Sequence, residues 1–135
     1  MTLTRLMSWT AAALGLALVA GCADATAPEL EGRWGGPEAT LILSPLGGSV
    51  EYTCGAGTID AGWMLSARGR WTATGQHSVG GGPLPIGGRP PHPATYTGTF
   101  SGDVLTFTVD VPELGLRLGP FRVVRNAEGQ REICV

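Results

Sequence analysis

The sequence predicts an all-β protein, a small antiparallel up-and-down β-barrel of about eight strands. Glycine supplies 22 of the 135 residues, threonine and valine are plentiful, and short apolar runs alternate with polar residues at a period of two. No helical period of useful length follows residue 22. Closing a long antiparallel sheet into a barrel removes its exposed edges, and a two-sheet β-sandwich is the alternative architecture.

The first predicted strands are short and are separated by glycine-rich turns. Residues 49–54 place Val50, Tyr52 and Cys54 on one face of a strand, because successive side chains point to opposite faces. Residues 55–57 read Gly-Ala-Gly and are predicted to break that strand. The predicted strands of this half are 32–36, 40–44, 49–54, a strand, turn and strand within 58–65, and 70–76.

The clearest predicted hairpin lies in the second half. Residues 95–100 alternate threonine with Tyr96, Gly98 and Phe100, and a turn at 101–103 leads into a second alternating run over 105–111. Pro112 ends this strand because proline cannot donate to the ladder. The remaining predicted strands are 116–118, 121–123 and 131–135.

Residues 77–93 form a predicted Pro/Gly loop, and the two histidines of the chain stand at its ends. Loops of this length in compact domains often serve as lids or binding loops. If the chain returns like a hairpin, His77 and His92 become neighbours that could act on a ligand. Two imidazoles with no further ligand at a recognisable spacing do not make a metal site, so we predict neither metal nor cofactor. The alternative is a solvated loop stiffened by its prolines.

Three tryptophans of the barrel region, Trp34, Trp63 and Trp71, are candidates for ligand contact. Aromatic side chains line the mouths of barrels, although they more often fill cores. No catalytic motif accompanies them, and the aspartates fall at predicted turns or on the wet face, so we predict no catalytic residue and no enzyme. A formal net charge of −2 gives no support for a nucleic-acid partner.

The amino-terminal segment predicts export and lipidation. Arg5 precedes an apolar stretch that ends in Val-Ala-Gly-Cys at residues 19–22, which is the layout of a secretory signal. This tetrapeptide resembles a lipobox, which implies cleavage before Cys22 and lipid on its sulfur. Aspartate, which retains enterobacterial lipoproteins in the inner membrane, does not follow Cys22. By analogy we expect the outer membrane, facing the periplasm.

With Cys22 lipidated, Cys54 and Cys134 remain. An oxidising periplasm favours a disulfide between them, and two unpaired thiols are the alternative. The predicted faces fit the disulfide poorly, since Cys54 shares a face with apolar Tyr52 whereas Cys134 shares one with Glu132.

These predictions divide the chain into a signal peptide over 1–21, a lipidated and flexible tether over 22–30, and a barrel domain over 31–135. The domain resembles an uncharacterised family of small bacterial β-proteins. The resemblance covers most of 31–135, in the segments 32–36, 54–60, 80–83, 92–98, 105–109 and Cys134. Its Gly-x-Trp opening, small barrel and single disulfide also look lipocalin-like, and resemble periplasmic metalloprotease inhibitors. No assigned activity and no functional residues come with these likenesses.

We therefore expect a non-enzymatic protein held to the bacterial envelope by lipid. Its first predicted role is to bind a small apolar ligand in the barrel mouth, gated by the 77–93 loop. The alternatives are a module that binds or inhibits a periplasmic protein, and a structural envelope lipoprotein.

Overall fold

The computed structural model describes residue 15, residues 27–80 and residues 86–130. The predicted signal peptide apart from residue 15, and the cysteines Cys22 and Cys134, lie outside these residues. In the described part, eight antiparallel strands close into a barrel and a ninth, very short strand lies beside it. The all-β barrel prediction is confirmed. The elements are a helix Ala27–Leu30 (α1), strands Gly32–Gly35 (β1), Ala39–Ser44 (β2), Gly47–Tyr52 (β3), Gly55–Ile59 (β4), Met64–Leu65 (β5), Arg70–Val79 (β6), His92–Ser101 (β7), Val104–Val111 (β8) and Leu116–Arg125 (β9), and a 3-10 turn Pro112–Leu114.

The barrel has an up-and-down topology with two closing pairs. Neighbouring strands follow one another along the chain, β4 pairs with β6, and β1 pairs with β9. The β6–β7 register extends from Arg70–Thr99 to His77–His92. The β1–β9 register, in contrast, consists of Trp34–Arg125 and Gly35–Val124 alone. The barrel is thus strongly joined along its hairpins and narrowly joined at β1–β9.

The two ends of the barrel differ in what they carry. Helix α1 joins β1 at what we call the tether end, where the β2–β3 turn, the β5 region and the β7–β8 turn also lie. The opposite or far end carries the β3–β4 turn, the end of β6, the start of β7 and the 3-10 turn. Residues 127–130 turn back after β9, and the Gln130 amide donates to the Gly36 carbonyl over 3.0 Å toward the far end.

The barrel interior is filled by side chains. Alternate residues of each strand point inward, and eight strands enclose a volume that side chains alone can fill. Trp71, Tyr96 and Phe107 are fully buried and contact one another at its centre, with ring centroids 6.0–6.2 Å from Trp71. The buried hydrophobic core comprises Leu30, Trp34, Ala39, Leu41, Leu43, Val50, Tyr52, Ile59, Trp71, Ala73, Ala94, Tyr96, Leu105, Phe107, Val109, Val111, Phe121 and Val123.

The predicted break after Cys54 is wrong in its position. Cys54 lies in the β3–β4 turn with a left-handed φ of 63°, and residues 55–57 belong to β4, which pairs with both β3 and β6. Cys54 therefore does not share the inward face of Tyr52, and the mismatch of faces that the sequence predicted for the disulfide does not arise. Cys134 lies outside the described residues, so the pairing itself stays a prediction.

Other predicted boundaries also shift. The strands β6 and β7 extend through His77 and from His92, so the connecting segment is 80–91 rather than 77–93. Residues 116–125 form one strand instead of two, with a register irregularity opposite Phe107. The predicted strand 131–135 lies outside the described residues.

The folded domain includes helix α1, ahead of the predicted boundary at residue 31. Leu30 is fully buried in the barrel core, and its carbonyl accepts a 2.9 Å hydrogen bond from Nε1 of Trp34. The Arg125 guanidinium donates to the Glu29 carbonyl. Part of the predicted flexible tether is therefore packed beneath the barrel and closes its tether end.

Candidate functional site

Three polar aromatic side chains meet inside the barrel toward the far end. The Tyr52 hydroxyl is hydrogen bonded to Nδ1 of His77, and the two rings lie parallel with centroids 5.6 Å apart. The Phe121 ring also stacks on Tyr52, with the two ring centroids 5.3 Å apart. The Tyr96 hydroxyl donates a hydrogen bond to the Gln76 carbonyl over 2.9 Å. His77 is only 2% exposed, the one buried polar side chain of the described residues outside the apolar core.

Glycines of β4 make room for this cluster. A Cβ at Gly57 would lie 2.2 Å from the Tyr96 hydroxyl, and a Cβ at Gly55 would lie 2.6 Å from the Tyr52 ring. Real Cβ atoms do not approach other atoms this closely, so any larger residue would displace the tyrosines. Gly55 and Gly57, which suggested a break in the sequence, are therefore required for Tyr52 and Tyr96 to pack against β4.

Burial keeps the cluster uncharged. Removal from water raises the pKa of Tyr52 above its ordinary range, and raises the pKa of Tyr96 to about 12. Burial, with His92 nearby as a second cause, lowers the pKa of His77. A protonated Tyr52 hydroxyl can donate to Nδ1 only when that nitrogen carries no proton, so the hydrogen bond and the neutral imidazole support each other.

We expect the free energy of unfolding to decrease as the pH falls from about 7.5 to 5.5. Because burial lowers the pKa of His77 in the folded state, the unfolded chain takes up a proton near pH 6.5 and the folded state takes it up only at a lower pH. The unfolded state therefore binds more protons just below that pH, and stability is lost there by at most about 1.4 kcal/mol per pH unit. Urea unfolding across this range measures the effect.

The two histidines of the chain provide a matched comparison for this measurement. His77→Gln keeps a hydrogen-bonding side chain that does not titrate, and should flatten the dependence on pH. His92→Gln removes only the smaller of the two causes that lower the pKa of His77, so it should reduce the dependence on pH by less than His77→Gln does. An unchanged slope in His77→Gln would show that another group is responsible.

The predicted meeting of the two histidines is confirmed. His77 and His92 are directly opposite in the β6–β7 register. Their polar contacts nevertheless differ, because Nδ1 of His92 pairs with Oε2 of Glu113 at 2.8 Å in the 3-10 turn. Among the described residues, no three His, Cys, Asp or Glu side chains are grouped to hold a metal ion.

The three candidate tryptophans occupy different places. Trp34 is fully buried at the tether end, with Cζ of Arg125 4.5 Å above its ring. Trp71 is fully buried at the barrel centre, and its Nε1 has no hydrogen-bond partner among the described residues. Trp63 is half-buried near the tether end and donates from Nε1 to the Ser44 carbonyl over 2.9 Å. The structure does not bring the tryptophans together with His77 and His92 in one site.

Exposed apolar side chains are found around the far end. We call Val79, Ile86, Leu114 and Leu116 the far rim; each is at least 38% exposed. The residues that lead into β7 are tied to the end of β6, since Nη1 of Arg89 donates to the Val79 carbonyl over 3.0 Å. The 3-10 turn that carries Leu114 also packs against β7. Solitary exposed apolar residues are ordinary, but a group at one end of a small domain is typical of a contact surface.

The carboxylates of the wall and turns are engaged in ordinary surface contacts. Oδ1 of Asp110 lies 3.6 Å from Nε of Arg117, and Oδ1 of Asp103 lies 3.4 Å from Nε of Arg125. Asp60 accepts a hydrogen bond from Thr74 over 3.2 Å. These three aspartates stand apart from one another, so none forms a carboxylate pair suited to acid–base catalysis.

Sequence reasoning missed Tyr52 and Tyr96 as interior polar groups, and it missed the far rim. The signal for the tyrosines was present in part, since both lie at inward positions of alternating strands and Tyr52 is opposite Gly55 in the β3–β4 hairpin. The rim had no such signal, because Val79 and Ile86 lie about thirty residues before Leu114 and Leu116, and the strands between them place both pairs at the far end.

Among the described residues, no helix combines the length and the apolar character needed to cross a bilayer. Comparison of the chain with protein-family models, with curated proteins and with solved structures finds no match.

Proposed function

We propose that this chain is a lipid-anchored, non-enzymatic protein of the bacterial envelope that binds a partner protein through its far rim. The carrying observation is the position of the exposed apolar residues Val79, Ile86, Leu114 and Leu116. They surround the end of the barrel that lies opposite helix α1. A lipid on Cys22 would hold α1 toward the membrane, so the far rim would face away from it.

Localisation follows from the leader rather than from the barrel. The lipobox-like tetrapeptide at 19–22 supports attachment through Cys22, and the absence of a following aspartate supports the outer membrane with the domain in the periplasm. A disulfide between Cys54 and Cys134 suits that compartment.

The filled interior favours a protein partner over a small apolar ligand. The side chains that point into the barrel, including Trp71 and Tyr96, are packed against one another. A ligand at the barrel centre would have to displace them, whereas a protein can contact the rim without any rearrangement. The partner that fits is a periplasmic protein offering an apolar surface, because the rim side chains carry no charge.

A photo-reactive residue placed at position 86 or 114 in the native cell tests the proposal. We expect a covalent adduct with one envelope protein from both positions, and none from position 95, an exposed threonine of the barrel wall. The purified partner should bind Leu114→Asp about tenfold more weakly than the unchanged chain, because a charge would be buried in an apolar contact.

Three outcomes would count against this function. Adducts of equal yield from position 95 would indicate random collision, and an adduct with a second copy of the chain would indicate self-association. Recovery of a bound apolar molecule, with no protein adduct, would favour the ligand-binding alternative.

A further inference from the structure

The tether end also exposes apolar side chains, and it does so on a rigid support. Leu46 in the β2–β3 turn is 88% exposed and Met64 in β5 is 67% exposed. Neither side chain belongs to the barrel core.

The turn that carries Leu46 is fixed by several contacts. The Ser44 hydroxyl accepts from the Leu46 amide over 3.3 Å and donates to the Gly47 carbonyl over 3.2 Å. The Ser44 carbonyl accepts the Trp63 Nε1–H, which ties the turn to the residue preceding Met64. A turn pinned in this way presents Leu46 to solvent without the entropic cost of ordering it on binding.

The course of the chain places a bilayer at this end. Helix α1 is docked beneath the barrel through Leu30. The five steps from Cys22 to Ala27 span at most about 18 Å. A lipid on Cys22 therefore brings the membrane surface close to the tether end. At such a surface the lipid interface is the expected partner of Leu46, Met64 and the half-buried Trp63.

We infer that the tether end is a bilayer-contact surface, in which Leu46 and Met64 insert into the lipid interface and Trp63 lies at its polar boundary. This inference rests on the lipid anchor of the proposed function. Its consequence is a fixed orientation, because a protein held by lipid and by two inserted side chains stands upright with the far rim directed into the periplasm.

The surface carries both signs of charge, so insertion does not require anionic lipid. Arg68 and Arg70 are exposed at this end, and Asp60 and Asp103 are exposed there as well. Vesicles of neutral phosphatidylcholine with brominated acyl chains are therefore the appropriate probe.

The experiment measures the depth of fluorescent labels on the lipidated mature chain, bound to these vesicles. Each labelled protein has one added cysteine, which replaces either Ala61, two residues before Trp63, or Ile86 at the far rim. Cys54 and Cys134 stay in their predicted disulfide. Bromine on the acyl chains quenches only fluorophores that enter the bilayer. Inserted interfacial residues lie about 5–10 Å deep, at the boundary between headgroups and acyl chains. We expect quenching of the label at 61 and none at 86.

A matched variant separates insertion from proximity. Leu46→Ser combined with Met64→Ser, carrying the same label at 61, should lose most of the quenching while the protein stays on the vesicle through its lipid. Equal quenching in the two backgrounds would overturn the inference, as would equal quenching at 61 and 86.

The anchor is measured separately by the mass of the mature chain and its recovery with the vesicles. A lipidated, vesicle-bound chain whose label at 61 is unquenched would overturn the contact surface and leave the anchor intact. A chain without lipid on Cys22 would remove both.

Discussion

Replacing Trp34 with alanine is expected to lower the free energy of unfolding by about 3–5 kcal/mol. Trp34 is fully buried, and its ring contacts Phe100 edge-on with centroids 5.7 Å apart. The substitution opens a large void in a closed interior and removes the surface on which the Arg125 guanidinium stacks. It also leaves the Leu30 carbonyl without its donor. Urea unfolding followed by circular dichroism gives the difference.

Two further substitutions separate these contributions. Trp34→Phe keeps an aromatic ring but removes the Nε1–H, and should cost about 1–3 kcal/mol. Trp63→Ala, at the half-buried tryptophan of the same end, should cost less than Trp34→Ala because it leaves no closed void. If Trp34→Ala and Trp63→Ala were equally mild, helix α1 and Trp34 would not close the barrel as described.

Loss of the predicted disulfide is expected to cost about 2–5 kcal/mol. A bond between Cys54 and Cys134 would close most of the folded domain into one loop and so restrict the unfolded chain. Cys54 occupies a left-handed conformation, φ 63°, which non-glycine residues adopt only when the surroundings enforce it. Serine in its place has the same backbone preference, so Cys54→Ser reports on the bond rather than on the turn.

The unfolding of four proteins measures this effect. Cys54→Ser, Cys134→Ser and the double variant should lose equal stability, because each removes the same bond, and reduction of the unchanged chain should match them. Reductant should not alter the double variant. A mature chain that gains no hydrogens in mass on reduction would rule out the disulfide.

The sequence predicted best where alternation was strict. Residues 95–111 formed the expected hairpin because a period of two leaves one face to bury and one to wet. It predicted worst where glycine was involved, since residues 55–57 were taken for a break although the Gly-x-Gly-x-Ile spacing has the period of a strand. Their role depends on Tyr52, which lies opposite Gly55 in the β3–β4 hairpin, and on Tyr96 of β7, which meets Gly57 only in the closed barrel.

The candidate site was predictable in part for the same reason. The neighbouring positions of His77 and His92 followed from simple hairpin geometry. The hydrogen bond between His77 and Tyr52 did not, because β3 and β6 are distant in sequence and are connected through β4. Leu30 was assigned to the flexible tether, and only the docking of α1 makes it part of the core.

The narrow joint between β1 and β9 is where we expect the barrel to open first under mechanical load. Two register pairs and one backbone bond from the Asn126 amide to the Arg33 carbonyl, 2.8 Å long, hold these strands together. If a lipid holds Cys22 as we propose, tension on the amino-terminal segment would reach β1 through α1 and would open the β1–β9 pair before the longer strand pairs. The cation–π contact between Arg125 of β9 and Trp34 of β1 also joins these two strands.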